Sequence, residues 1–197
     1  MKIPAAVRLF ADRASLSVLR VAMIGAGTLA VAACAVTATA YAKGYRVNLT
    51  PSMPVGVWQV AGDEVFARGD VVWACPPNIA PLREAHRFGY IPAGFCESGM
   101  APLLKPVVAV AGDHVSVSDD GVRVNGELIA NSAPLRRDAH GRFLPRFPKV
   151  SYVVKPDQVW LVSSYNPASF DSRYFGPVSA SLVDGRARPV LIQADAQ

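Results

Sequence analysis

The chain has 197 residues, 51% of them hydrophobic, 20 basic against 15 acidic side chains and a mean hydropathy of +0.25. That length supports one core and little more. The basic excess is scattered and fits no nucleic-acid-binding motif, which argues against nucleic acid and leaves anionic lipid as a partner for it.

Residues 1–20 carry Lys2, Arg8, Arg13 and Arg20 against Asp12 alone, and Val21 to Tyr41 is free of charge. At 1.5 Å per residue such a run spans about 30 Å, the thickness of a bilayer core. A membrane helix over 21–42 is expected, with residues 1–20 as a short basic cytoplasmic segment and 43–197 outside. The rival reading is a cleaved signal peptide, because Ala38-Thr39-Ala40 has the small-x-small form of a cleavage site, although the apolar run is long for one.

Directly after it comes Asn48-Leu49-Thr50-Pro51-Ser52-Met53-Pro54-Val55-Gly56. The two prolines fix φ and cannot donate backbone hydrogen bonds, so a stiff loop is expected, able to hold Ser52 at a fixed angle. Such a serine is either a turn residue or a nucleophile. It lies about ten residues beyond the apolar run, so it is expected close to the outer membrane boundary.

Val57–Val60, Glu64–Phe66 and Asp70–Ala74 are strand candidates, with turns at Gly62-Asp63 and Gly69-Asp70. From Cys75 to Met100 prolines and glycines permit only a short helix over Ala80–Arg87. This insertion loop is bounded by Cys75 and Cys96, which in an oxidising compartment would staple it. With His86 as the sole neighbouring histidine the pair does not make a zinc site. Leu103–Ala109 then reads as a strand with Leu103, Lys105 and Val107 on one face. A lysine there either snorkels to water or loses hydration, drops its pKa and becomes a neutral base. Pro106 removes a ladder donor, which argues for an edge or bulged position.

A hairpin follows, His114–Ser118 turning at Asp119-Asp120-Gly121 into Val122–Val124, and Asn125-Gly126 turns the chain again before Glu127–Ile129. His114 reads as a polar strand residue. Residues 131–149 interleave arginines with apolar side chains and read as an irregular surface loop. Tyr152–Val154 and Gln158–Val162 lead into Ser163 to Val178, which holds Ser169 and the potential ion pair Asp171 and Arg173. Ala180–Val183, an Asp184-Gly185 turn and Ala187–Ile192 are expected as a last hairpin.

Three blocks in order, Ser52-Met53-Pro54-Val55-Gly56, Leu103-Leu104-Lys105-Pro106-Val107-Val108-Ala109 to Gly112-Asp113, and Ser169-Phe170-Asp171-Ser172-Arg173-Tyr174-Phe175-Gly176-Pro177, resemble the signal peptidase I family, most nearly its conjugative-transfer, TraF-like branch. The resemblance implies a mainly β catalytic domain, an antiparallel sheet or partly open barrel behind one transmembrane helix. It implies a Ser-Lys peptidase in the inner membrane, its catalytic domain in the periplasm, with Ser52 as nucleophile and Lys105 as general base. Ser169 corresponds to a serine that contacts the lysine, Asp171 to an aspartate needed for activity, Arg173 to its structural partner and Thr50 to a hydroxyl that helps hold the oxyanion. No metal or organic cofactor is called for by that chemistry. The implied substrate is an exported precursor, in this branch a pilin precursor that some members also cyclise, and components of the transfer apparatus are potential partners. A general signal peptidase, a non-catalytic scaffold of a secretion or conjugation apparatus, and a repressor-type autoprotease are the alternatives.

Overall fold

The structure is a computed structural model that describes residues 5–62 and 65–193, with side chains from Val18 onward. Lys2, Asp63 and Glu64, and the side chains of Arg8, Asp12 and Arg13, lie outside the described residues. So do the expected Gly62-Asp63 turn and the first residue of the strand expected at 64–66.

The chain forms two units, residues 1–44 and 45–197. The first is one helix, α1 (Ala5–Ala42), in which Val18–Ala42 averages a hydropathy of 2.0 and is long and apolar enough to cross a membrane. Its threonines stay compatible with lipid because their hydroxyls donate within the helix: Thr28 to Gly25 O at 2.9 Å, Thr37 to Ala33 O at 2.9 Å and Thr39 to Ala35 O at 2.7 Å.

The second unit is a curled, partly open antiparallel sheet with a smaller sheet beside it. The larger sheet takes β1 (Tyr45–Asn48), β2 (Gly56–Ala61), β3 (Val71–Ala74), β4 (Leu103–Ala109), β9 (Gln158–Leu161), β10 (Val178–Ser179) and β11 (Val183–Ile192), ordered β1-β2-β11-β3-β4-β9-β10. The smaller one takes β5 (His114–Ser118), β6 (Gly121–Val124), β7 (Glu127–Leu128) and β8 (Val150–Val153), ordered β7-β6-β5-β8. The β5–β6 hairpin forms as its alternation dictates. Val115 pairs with Val124 and Val117 with Val122, all buried, each contributing roughly 2 kcal/mol of apolar burial. Asn125 and Gly126 both take positive φ, 52° and 88°, the geometry that a two-residue turn of this hand requires.

Helix α2 (Ala80–Arg87) also forms as expected, with proline in its first turn, His86 and Arg87 in its last, and Leu82 and Ala85 buried. Cys75 and Cys96 are bonded, with Cα atoms 5.6 Å apart.

Two expectations are corrected, and one that was left open is decided. The Asp184-Gly185 pair is no hairpin turn but an irregularity inside the single strand β11, which pairs with β2 on one side and β3 on the other. Gly185 lets this happen, because a Cβ there would stand 2.0 Å from Ala61 O. Of the edge and bulged positions expected for Pro106 the bulged one is realised, because β4 is a central strand between β3 and β9. The Pro106 carbonyl accepts from Val162 N at 3.2 Å, and the missing donor is absorbed where the β4–β9 register shifts between Val107 and Ala109. Val65 and Phe66 are irregular, although Phe66 packs against the core.

Strand β4 is buried along both faces, which sets the surroundings of its lysine. Leu103 and Val107 enter a core with Leu82, Met100, Leu161 and Tyr174, and Val108 enters a second around Trp160. Leu104 joins Met53, Trp58 and Ala187 in a third.

Candidate active site

Lys105 is 3% exposed, and its Nζ donates to Ser169 Oγ at 2.6 Å. Loss of hydration pushes its pKa down to about 8; the Asp171 carboxylate opposes this and the Arg173 guanidinium adds to it. Of the two fates open to this lysine, burial is the one realised, and burial favours its free amine.

Asp171 and Arg173 are both fully buried. Asp171 caps the short helix α3 (Ser172–Phe175), its Oδ1 accepting from Arg173 N at 3.2 Å. Arg173 then grips the same carboxylate with Nε at 2.8 Å and Nη2 at 2.9 Å. Its other donors meet the carbonyls of Asn131 at 2.6 Å, Pro167 at 3.1 Å and Ser163 at 2.7 Å. All five guanidinium donors are satisfied, the condition under which an ion pair survives burial. Asp171 Oδ2 also accepts from Ser163 N at 3.0 Å, and Leu161 N donates to Ser172 Oγ at 3.0 Å.

The Ser52 loop is tied to this cluster by Ser163. Its hydroxyl donates to Ser52 O at 2.5 Å, while its N–H donates to Asp171. Asn166 Nδ2 donates to Pro51 O at 3.1 Å, and Trp58 Nε1 to Pro54 O at 3.1 Å. Met53 is buried beside Leu104, the neighbour of the lysine. Gly56 ends the loop with φ of 147°, where a Cβ would stand 2.1 Å from Leu191 O.

Lys105, Ser169, Asp171 and Arg173 therefore form one buried cluster, joined to Ser52 through a single serine. Thr50 faces Asn48, to whose Oδ1 its hydroxyl donates at 2.8 Å. The histidines serve elsewhere: His86 Nδ1 meets Ile91 O, and His114 Nε2 meets Ser151 Oγ. Among the described residues no three His, Cys, Asp or Glu side chains gather as a metal ion would need.

Sequence reasoning gave no role to Ser163, Asn166 or Asn48. For Asn48 a signal existed, since an asparagine opening a proline-rich turn commonly binds the backbone two residues on, and Asn48 Oδ1 does accept from Thr50 N at 3.1 Å. Ser163 offered none, as its partner Ser52 lies 111 residues away.

A half-barrel sheet carries the Ser52 loop, tied through Ser163 to Asp171, and a buried lysine amine held by Ser169. The family model for signal peptidase, peptidase S26, matches residues 19–192, and the chain belongs to that family. A plasmid transfer protein TraF of Escherichia coli is 45% identical over 82% of this chain and 90% of its own length. The probable conjugal transfer protein TraF of Sinorhizobium fredii is 43% identical over 87% and 90%, and the conjugal transfer protein TraF of Agrobacterium tumefaciens 42% identical over 82% and 90%. A crystallised signal peptidase I of Enterococcus faecalis V583 is 18% identical, covering 62% of this chain and 96% of that one with a TM-score of 0.34. With its one apolar helix among the described residues, the chain is a single-pass inner-membrane peptidase related to TraF.

Proposed function

We propose that this chain is a Ser-Lys endopeptidase that cuts a leader or propeptide from an exported precursor, the conjugative pilin precursor in particular. The observation that carries the reading is the buried Lys105 amine, held by Ser169 and with its pKa lowered to about 8. An amine of that acidity is partly neutral at working pH and matched to general-base chemistry.

In this mechanism neutral Lys105 takes the proton of Ser52 Oγ as the oxygen attacks the scissile carbonyl, and the oxyanion accepts from the Ser52 backbone N–H. The lysine then gives its proton to the leaving amine. Water, activated by the same amine, releases the acyl fragment. Attack by the fragment's own N-terminal amine would instead close it head to tail. Ser169 aims the amine, and Asp171 with Arg173 positions Ser163. The basic segment 1–20 supports a cytoplasmic N-terminus, and the Cys75–Cys96 bond supports a periplasmic catalytic unit, because such bonds persist in oxidising compartments. Membrane lipid and components of the transfer apparatus are the further partners in this reading.

The test is mass spectrometry of the cognate pilin precursor after coexpression with the wild type, Ser52→Ala and Lys105→Ala. The reading requires a truncated product from the wild type alone. A further loss of one water mass reports cyclisation. Identical processing in all three removes the dyad and leaves a scaffold.

A further inference from the structure

Asn48 ends β1 and is 4% exposed. Its Nδ2 lies 3.0 Å from Thr50 O, 3.0 Å from Met53 O and 3.1 Å from Pro54 O. Its Oδ1 accepts from Thr50 N at 3.1 Å and from Thr50 Oγ1 at 2.8 Å. Carbonyls only accept and a backbone N–H only donates, so these neighbours fix which end of the amide is which. It follows that the Thr50 hydroxyl is the donor in its bond to Oδ1. A threonine hydroxyl has one proton, and here that proton points at Asn48.

Two consequences converge on Ser52. The amide clasps the loop just before it, at Thr50, and just after it, at Met53 and Pro54, while Ser163 holds the carbonyl of Ser52 itself. The serine is thereby fixed on both sides by a buried side chain that stays away from the chemistry. The Thr50 hydroxyl, meanwhile, is engaged inside the loop and has no second proton for an oxyanion. We infer that Asn48 is the positioning residue of the nucleophile loop, and that Thr50 acts as a strut to it rather than as the oxyanion donor that the family resemblance implies. This rests on Ser52 being the nucleophile.

The experiment measures kcat and KM of the full chain in detergent on the purified cognate pilin precursor, for the wild type, Ser52→Ala, Asn48→Ala, Asn48→Asp and Thr50→Val. Misplacing a reacting atom by about 1 Å costs on the order of 100-fold in rate. Asn48→Ala is expected to lower kcat roughly 10- to 100-fold. Its KM should stay within about twofold, and the acid limb of kcat near pH 8 should not move, since Lys105 is untouched. Thr50→Val should lower kcat no more than about fivefold, whereas loss of a true oxyanion donor costs about 100- to 1000-fold. A Thr50→Val loss of 100-fold or an Asn48→Ala kcat near wild type would each overturn the inference. If Asn48→Ala does not fold, Asn48→Asp takes its place. It keeps the acceptor for Thr50 and deletes the Nδ2 donor shared by the carbonyls of Thr50, Met53 and Pro54, so a kcat near wild type there overturns the inference equally. A Ser52→Ala chain as active as wild type removes the nucleophile itself, a failure distinct from the others.

Discussion

Replacing Lys105 with methionine tests the lowered pKa on which its proposed role as base depends, without measuring catalysis. The folded protein holds the lysine at a pKa of about 8, against 10.5 for the free side chain. Between these values the unfolded chain binds more protons than the folded one, so wild-type stability rises with pH across that window. Below pH 8 the lysine is charged in both states, and the folded state bears the full cost of burying it. Integrating from pH 7 to pH 10 with those two values gives a rise of about 2–3 kcal/mol. Lys105→Met lacks the group and the rise, while its loss of the bond to Ser169 Oγ is an offset of about 1–3 kcal/mol that does not vary with pH. The tyrosines that titrate at high pH are common to both proteins and cancel. Urea unfolding of the full chain in detergent, followed by tryptophan fluorescence at several pH values, gives the wild-type minus variant difference. It should climb by about 2–3 kcal/mol from pH 7 to 10. A flat difference would refute the reasoning, because a lysine of ordinary pKa stays charged at neutral pH and is no base.

Asp171→Asn should move the acid limb of the pH–rate profile below 8, since the carboxylate now raises the pKa of Lys105; an unmoved or raised limb counts against that coupling. Arg173→Met leaves a buried carboxylate facing three abandoned carbonyls and should destabilise the fold by about 3–5 kcal/mol in urea titration. A cost below about 1 kcal/mol would mean that water reaches the site. The paired change Cys75→Ser with Cys96→Ser should cost about 3 kcal/mol, from the unfolded-chain entropy of a closure spanning 21 positions. An unchanged unfolding midpoint would show that the insertion is held by Leu82, Ala85 and Met100 alone.

What could be read from the chain was what is local. Alternating valines and an Asn-Gly pair specify the β5–β6–β7 meander, and a proline start with a basic finish specifies α2, whatever surrounds them. Asp184-Gly185 misled because the same dipeptide serves a turn or a bulge, and the choice belongs to Ala61 and Trp73 across the sheet. Pro106 left edge and bulge open for the same reason, and the register shift beside it between Val107 and Ala109 decides for the bulge. At the site the residue types were visible in their blocks. The bonds from Ser163 to Ser52 and from Arg173 to Asn131 were not, since they close over 111 and 42 residues.

The Asp171–Arg173 pair explains how a carboxylate can be buried near Lys105 without holding its amine in the ammonium form. An unpaired Asp171 carboxylate so near Lys105 would favour the ammonium form and raise its pKa. Arg173 answers that charge at 2.8 and 2.9 Å, and its own field pushes the lysine the other way. With the two contributions opposed, desolvation is left as the deciding influence, and it lowers the pKa. The pair keeps its structural use, since Asp171 holds the Ser163 N–H and Arg173 holds the Ser163 carbonyl. Ser163 in turn holds Ser52. One buried ion pair thus braces the Ser52 loop while leaving the Lys105 amine acidic enough for the base role proposed for it.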